Sequence, residues 1–318
     1  MSAMTGEAGV VLTTDGLVPA DQIGMTLPHE RLLLDGWDHR LPNYANSLYM
    51  ELVKFAAAGG RTIVDIHGVG YPRDPEFCRQ VAARAGLMTV AGTGFRKDAW
   101  LPTEVRNATV DDLADILIRD ITRGIDDSRI RAGVVGEVGV SRVLTPTERR
   151  TLAAAARAQR ETGVGIGVHL DIGSMPAEYQ SALDILESTG ADLERVAVFG
   201  LVPRPDNLDL FRELVGRGCY LGFSLFGQDH RQLMADLMMT HKDVQASSIR
   251  GFVDRGFGSQ ILLSQSVDNI ELMTANGGEG YAHIATSVLP LVKSFQVSDE
   301  QVHRIVVDNP SRWLGLPA

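Results

Sequence analysis

The sequence alternates short apolar segments with longer amphipathic ones, and this alternation constrains the fold more than any other feature. Eight short segments are predicted as strands: 25–30, 62–67, 88–94, 133–139, 165–170, 196–201, 220–225 and 261–266. Apolar runs of this kind are typical of parallel strands that are buried on both faces of a sheet. Amphipathic segments between them are predicted as helices: 47–58, 74–85, 110–123, 147–162, 177–188 and 208–216. For the helix 147–162, Thr147 is the predicted N-cap and Glu148 lies in the first turn.

Eight βα repeats in 318 residues predict an α/β fold, namely a single (β/α)₈ TIM barrel. We expect one domain over residues 1–318, with 1–24 as a lead-in segment. An open doubly wound sheet is disfavoured because no predicted strand is followed by a GxGxxG or Walker-type loop.

Composition and charge exclude two classes of partner, nucleic acids and membranes, and favour one compartment. The 30 basic and 40 acidic residues give a net charge of −10, and no basic block is present, so we expect no nucleic-acid partner. No segment approaches the roughly 20 apolar residues that span a bilayer, and the first residues lack a secretory pattern, so we expect a cytoplasmic protein with no membrane partner. The cysteines, Cys78 and Cys219, are too few for a disulfide framework and are predicted to be buried thiols.

The polar residues at the ends of the predicted strands are the candidates for an active site. In a (β/α)₈ barrel the active site lies at the carboxyl ends of the strands. A single histidine there is most often a packing residue, whereas several histidines with a glutamate predict an active site. The polar strand-end residues are His29 and Arg31, His67, Arg96 with Lys97, Glu137, His169 and Ser266.

Several segments together resemble the phosphotriesterase family of the amidohydrolase superfamily. They are MTLPHER, GGRTIVDIHGVGYPRDPEF, VAGTGFRKDAWLP, GVVGEVGVSRVLTPTERRTLAAAARAQRETG, ILLSQS, and GGEGYAHI through VVDNPSRWLGL, and the similarity runs over 24–316. The resemblance implies a (β/α)₈ barrel, a binuclear centre of zinc or a similar divalent ion, and hydrolysis of phosphotriesters, lactones or related esters by metal-bound hydroxide. It also implies a homodimer, the state of many relatives.

The ligand positions implied by the resemblance are only partly matched. His29 matches the first histidine of the family's HxH pair, Glu137 the carboxylate of the fourth strand, and His169 the histidine of the fifth. The other positions differ: Arg31 replaces the second histidine of the pair, Gly200 the histidine of the sixth strand, and Ser266 the aspartate of the eighth.

Arg31 is incompatible with the family's binuclear centre. A guanidinium has no lone pair to donate and remains charged at ordinary pH. Two unit charges 4 Å apart interact by ~4 kcal/mol at an effective dielectric constant of about 20, and a divalent ion doubles the product of charges. We therefore expect the binuclear centre to be lost and no metal to be bound. The alternative is one divalent metal, such as zinc, held by His29, Glu137 and His169.

A catalytic set without a metal follows from the same residues. His29, His67 and His169 are candidates for general acid or base, because histidine titrates near neutral pH. Glu137 is expected to orient or deprotonate, and Arg31 to pair with it and to stabilise negative charge on the substrate.

Three further residues are predicted to contact the substrate: Arg96, Ser266 and Tyr281. A surface position for Arg96 and a packing role for Tyr281 are the alternatives. His230, in the long connection 228–259, is a further candidate for ligand contact, with a solvated position as the alternative.

The sequence therefore predicts an atypical phosphotriesterase-family enzyme that hydrolyses a small, anionic, ester- or lactone-like molecule by acid–base and electrostatic catalysis. Three alternatives stay open: a cyclase, isomerase or lyase on the same barrel, a mononuclear zinc-type hydrolase, and a catalytically silent binding protein.

Overall fold

The computed structural model describes residues 9–34, 38–171, 173–228 and 242–317. Its main sheet contains eight parallel strands in chain order, each paired with the next. The strands are β3 Met25–Glu30, β4 Gly60–Asp65, β5 Met88–Phe95, β6 Val134–Val140, β7 Gly165–Leu170, β8 Val196–Phe199, β9 Tyr220–Phe223 and β10 Ile261–Leu263. The predicted (β/α)₈ barrel is confirmed. Several strands end earlier than predicted, so that His67 and Ser266 lie in the loops that follow β4 and β10.

Helices alternate with the strands around the barrel. Their bounds are α1 Pro42–Ala57, α2 Pro75–Arg84, α3 Thr103–Asn107, α4 Val110–Thr122, α5 Pro146–Thr162, α6 Pro176–Ser188, α7 Leu208–Gly216, α8 Lys242–Asp254, α9 Leu289–Ser294, α10 Asp299–His303 and α11 Asn309–Leu314. The prediction of Thr147 as the N-cap of α5 is wrong. Thr145 caps this helix and forms a capping box with Glu148, because Pro146 takes the first helical position, where no amide donor is needed.

The first and last strands of the barrel are joined through the carboxylate of Glu30. One oxygen accepts hydrogen bonds from the Ser264 hydroxyl at 2.6 Å and from the amides of Gln265 at 3.0 Å and Ser266 at 3.2 Å. The other oxygen accepts from the amide of Val267 at 2.8 Å. This buried side chain therefore holds the loop after β10 against the end of β3.

An antiparallel hairpin covers the amino-terminal face of the barrel. It consists of β1 Val10–Thr13 and β2 Gly16–Pro19, and the amide of Thr14 bonds the carbonyl of Thr89 at the start of β5. The end of the chain reaches the same face, where the amide of Leu316 donates to the carbonyl of Val10 at 2.7 Å. The opposite face, where the strands end, is left for the site.

The interior has two apolar layers. One fills the space between strands and helices, and the other lies inside the barrel, where Phe199 packs edge-on against Trp313. Cys78 and Cys219 are free and buried, as predicted. Among the described residues, no helix combines the length and apolarity needed to cross a bilayer.

Candidate active site

Three predicted residues converge at the carboxyl ends of the strands: His29 at the end of β3, Glu137 in β6 and His169 in β7. Nδ1 of His169 lies 3.1 Å from Nε2 of His29 and 3.5 Å from Oε2 of Glu137. Nε2 of His29 lies 3.7 Å from the same carboxylate oxygen. The two imidazole rings and the carboxylate therefore form one buried cluster.

Arg31 completes this cluster by binding the carboxylate of Glu137. Its Nη2 atom lies 2.8 Å from Oε2 of Glu137 and 2.9 Å from the hydroxyl of Tyr71, which in turn donates to Oε1 of Glu137 at 2.6 Å. Nη1 lies 3.6 Å from Asp268. Arg31, Tyr71 and Glu137 thus bond one another in a triangle in which both carboxylate oxygens are occupied.

The charges of the cluster follow from burial and from these contacts. Burial favours the neutral carboxyl of Glu137, but Arg31, followed by the two histidines, outweighs it and lowers the pKa of Glu137 well below its usual range. Burial also lowers the pKa of His29 and His169, with Arg31 acting in the same direction. At neutral pH the site therefore holds a carboxylate–guanidinium pair beside two neutral imidazoles.

The two histidines differ in their access to solvent. His29 is 1% exposed and its Nδ1 atom lies 2.6 Å from the hydroxyl oxygen of Ser266, whereas the His169 side chain is 16% exposed and lines a cavity. Nδ1 of His169 faces the cluster, which leaves Nε2 for a ligand. Gly200 lies beside that nitrogen, and a Cβ atom at this position would meet the carbonyl oxygen of Leu170 at 2.5 Å and Nε2 at 3.3 Å.

The cavity in front of His169 has a volume of about 450 Å³. The guanidinium of Arg96 lies over the Tyr71 ring at 4.1 Å and over the Trp100 ring at 4.3 Å, and Lys97 pairs with Asp171. Cationic side chains outnumber carboxylates among the lining residues, which are Arg31, Tyr71, Arg96, Lys97, Trp100, Glu137, Arg142, His169, Asp171, Leu225, Gln228, Ser266 and Asp268. Arg96 and Ser266, which are predicted to contact the substrate, both line this cavity.

Three predicted residues lie outside this cavity lining: His29, whose ring bonds that of His169, and the buried His67 and Tyr281. His67 is buried, with Nδ1 2.6 Å from Oδ1 of Asp65 and Nε2 2.8 Å from the carbonyl oxygen of Leu33, so both nitrogens are occupied by the fold. Tyr281 is fully buried and its hydroxyl donates to the carbonyl of Arg31, so it supports the backbone of that residue. The contacts of His67 and Tyr281 therefore support the fold, and neither side chain lines the cavity. His230 lies outside the described residues.

Tyr71 and Asp268 are site residues that the sequence analysis missed. Tyr71 follows β4 and Asp268 follows β10. A tyrosine at a strand end does not by itself indicate acid–base chemistry near neutral pH, and burial with the neighbouring Glu137 raises the pKa of Tyr71 further above that range. Its position after a strand was the available signal.

Metal-binding side chains are limited to one group in the described part of the chain. The candidate donor atoms of His29, Glu137 and His169 lie within 4.8 Å of one another. Arg31, Gly200 and Ser266 supply no further imidazole or carboxylate. This donor set does not fit a binuclear centre, and its donor types fit one divalent ion at most.

Comparisons with known proteins agree with this architecture. N-acetyltaurine hydrolase of Dictyostelium discoideum is 32% identical over 272 residues, covering 84% of this chain and 72% of that protein. The resiniferatoxin-binding protein of Rhodobacter sphaeroides superposes with a TM-score of 0.90 at 30% identity, covering 96% of this chain and 95% of that one. The phosphotriesterase homology protein of Escherichia coli, solved with phosphate in its active site, superposes with a TM-score of 0.82 at 26% identity, covering 92% of this chain and 99% of that one.

The family profile decides the assignment. The profile of the phosphotriesterase family matches residues 9–314, which is nearly the whole described chain. Relatives that carry the name of a hydrolase match over most of their length. The chain belongs to the phosphotriesterase family, and it is a hydrolase-class (β/α)₈ barrel.

Proposed function

We propose that this protein hydrolyses an acyl bond, an amide or an ester, in a small anionic molecule, and that it does so by acid–base and electrostatic catalysis without a metal ion. The observation that carries the proposal is the triangle of Arg31, Glu137 and Tyr71. The guanidinium of Arg31 and the imidazole of His169 both lie against Oε2 of Glu137, and both side chains line the cavity.

His169 is the proposed general base. Its pKa is lowered by burial, so the ring is neutral at physiological pH, and its Nε2 atom is the nitrogen not engaged by the cluster. In the proposed reaction Nε2 takes a proton from water while the water oxygen attacks the acyl carbon. The same nitrogen then returns the proton to the leaving group as the bond to the carbon breaks. Glu137, 3.5 Å from Nδ1, stabilises the imidazolium that forms between the two steps.

Arg31 is the proposed electrophile. Negative charge develops on the carbonyl oxygen during attack, and a preorganised guanidinium stabilises it most where burial limits solvent screening. The Arg31 side chain is 11% exposed, and Glu137 and Tyr71 hold one of its nitrogens in place. Its charge therefore needs little reorganisation during the reaction.

An anionic substrate fits the charges at the cavity mouth. Arg96, Lys97 and Arg142 line the cavity together with Arg31. The relatives named N-acetyltaurine hydrolases take their name from a substrate that joins an acetamide to a sulfonate, so one molecule carries both an acyl bond and an anion. We infer the same combination of groups for the substrate of this chain.

The proposal is tested with protein purified without chelator, assayed on N-acetyltaurine and on the uncharged analogue N-ethylacetamide. We expect less than about a tenth of a metal ion per chain, turnover unchanged by chelator, and kcat/KM about 10- to 100-fold higher for the anion, the value of one charge-assisted contact. His169→Asn is expected to lower kcat by about 10²-fold or more. The matched control is His303→Asn, at an exposed surface position. Equal kcat/KM for the two compounds, or an active His169→Asn variant, would refute the proposal.

A mononuclear metallohydrolase is the second candidate, favoured by the spacing of the three donors. Their separations of 3.1, 3.5 and 3.7 Å are close to the edge of a tetrahedral site, ~3.4 Å for metal–ligand bonds of ~2.1 Å. His29, Glu137 and His169 would hold the ion, which when bound would activate water and polarise the acyl group. The guanidinium of Arg31, bonded to the same oxygen of Glu137, opposes this candidate. Stoichiometric zinc that is lost together with activity would establish it.

A further inference from the structure

We propose that Glu30 and Ser266 act together as positioning residues that set the protonated nitrogen of His29 and, through it, that of His169. This inference rests on the proposed role of His169 as the base. It concerns the segment Ser264–Val267, called here the strap, which follows β10 and passes over the buried ring of His29.

Glu30 fixes the backbone of the strap. Its carboxylate accepts hydrogen bonds from the amides of Gln265, Ser266 and Val267 and from the hydroxyl of Ser264. These bonds hold Ser266 at a φ of 47°, the left-handed region that non-glycine residues adopt at a cost of about 1 kcal/mol or more. A strained residue persists only where its surroundings hold it in place, and Glu30 supplies that constraint.

The strap presents the hydroxyl of Ser266 to both the ring and the backbone of His29. The oxygen lies 2.6 Å from Nδ1 and 3.3 Å from the carbonyl oxygen of the same residue. The carbonyl has no proton, so the hydroxyl proton is directed to it, and the hydroxyl oxygen is left to accept from the ring. His29 is then protonated on Nδ1, and its Nε2 atom carries a lone pair.

This lone pair determines the state of His169. Nδ1 of His169 lies 3.1 Å from Nε2 of His29, so a proton on Nδ1 of His169 completes the bond. Because a neutral imidazole has a single N–H, Nε2 of His169 is then unprotonated and can accept a proton. Three hydrogen bonds thus run from the carbonyl of His29 through Ser266 and the His29 ring to His169. They leave Nε2 of His169 facing the cavity as a base, and not as an N–H donor.

Removing the hydroxyl of Ser266 reverses the direction of the hydrogen bond between His29 and His169. In Ser266→Ala the Nδ1 atom of His29 has no acceptor, and the proton moves to Nε2, where it can donate to Nδ1 of His169. His169 then carries its own proton on Nε2, and the base is lost. In Ser266→Asn the amide oxygen can replace the hydroxyl as acceptor, and asparagine tolerates the left-handed backbone.

The test is the tautomer of each ring, measured by long-range ¹H–¹⁵N correlation spectra of protein labelled on histidine. We expect Nδ1–H for His29 and His169 in the wild type, Nε2–H for both in Ser266→Ala, and a return to Nδ1–H in Ser266→Asn. Wild-type rings protonated on Nε2, or a His169 tautomer unchanged in Ser266→Ala, would overturn the inference. This measurement needs no turnover, so it can fail or succeed independently of the proposed reaction.

Kinetics on N-acetyltaurine provide the second readout. Ser266→Ala is expected to lower kcat by about 10²-fold with KM changed less than about twofold, because the acid–base step is lost and binding is retained. Unchanged kcat with the tautomers switched would refute the role of His169 as base and would leave the positioning inference intact.

Glu30 is tested against a second buried carboxylate. Glu51 is 2% exposed and accepts a hydrogen bond from the amide of Thr274 at 3.2 Å, so it also holds a loop and does not line the catalytic cavity. We expect Glu30→Gln to populate the Nε2–H form of His29 and to lower kcat, and Glu51→Gln to leave both unchanged. Equal spectra for the two variants would remove Glu30 from the mechanism.

Discussion

Replacing Arg31 by methionine tests how much the charge of Arg31 contributes to the stability of the folded protein. Methionine keeps the length and unbranched shape of the side chain and removes its charge. Glu137, which is 2% exposed, then keeps only the hydroxyl of Tyr71 as a strong donor. Breaking a buried pair by removing one partner costs about 3–5 kcal/mol, because the remaining charge is left uncompensated. For a large domain this corresponds to a fall in Tm of roughly 10 °C.

The stability lost in Arg31→Met should depend on pH, and the direction of this dependence follows from the pKa of Glu137. In the wild type the pKa of Glu137 is lowered, so its contribution to stability is present above the unfolded value near 4.5 and is lost as pH falls. In Arg31→Met burial raises the pKa of the same carboxyl, so the variant loses stability as pH rises through that range. The difference in free energy of unfolding between the two proteins should therefore be larger at pH 7.5 than at pH 4.5.

Urea unfolding at both pH values measures this difference. The double variant Arg31→Met with Glu137→Gln removes the stranded charge and should recover most of the loss. Arg40→Met is the matched control, since Arg40 pairs with Asp38 at an exposed position and its loss should not be detectable. An Arg31→Met protein as stable as the Arg40→Met protein at pH 7.5, or equally destabilised at both pH values, would refute the reasoning.

The other predictions concern single side chains of the site. Arg31→His should create a fourth metal donor, detected as Co²⁺ absorption bands and a metal-dependent rise in Tm that the wild type lacks; identical spectra for the two proteins would contradict the role given to Arg31. Burial raises the pKa of Glu30 to about 7 and lowers the pKa of His169 below its ordinary value, so kcat/KM for N-acetyltaurine should be level above about pH 7 and fall below it, and a kcat/KM that rises as pH falls would argue against this base. His67→Gln should lower the free energy of unfolding by about 1–3 kcal/mol and leave the pH profile of kcat unchanged, whereas a shifted profile would return His67 to the catalytic set. Arg96→Gln should raise KM for N-acetyltaurine by about 10-fold with kcat retained, and a loss confined to kcat would exclude substrate binding.

The barrel was predictable because its signal is repetitive. Each parallel strand is buried on both faces, so it has to be apolar along its length, and eight such runs leave few alternative folds. Their ends were less predictable: the amide of Ser266 bonds Glu30 instead of a neighbouring strand, and His67 lies between the last residue of β4 and an isolated bridge of Val69 with Phe95. Pairing of this kind joins residues that are distant in the chain and has no local pattern.

The site was predictable in its residue types and less so in its geometry. His29, Glu137 and His169 meet as expected, because the ends of neighbouring parallel strands share one rim. Three histidines at strand ends look alike in a sequence. Only the fold shows that His169 reaches the cavity, that His29 lies behind it, and that His67 is held by Asp65.

The contact between Val10 and Leu316 brings the two ends of the described chain together on the face opposite the cavity. A short linker between Val10 and Leu316 would close the described part of the polypeptide into a circle without crossing the substrate entrance, and new termini could be opened at the exposed Asp127, between α4 and β6. A circular permutant of this kind keeps every contact of the site. Tags, surfaces or fused proteins attached near Val10 or Leu316 would hold the barrel with its entrance facing outward, towards the substrate in solution.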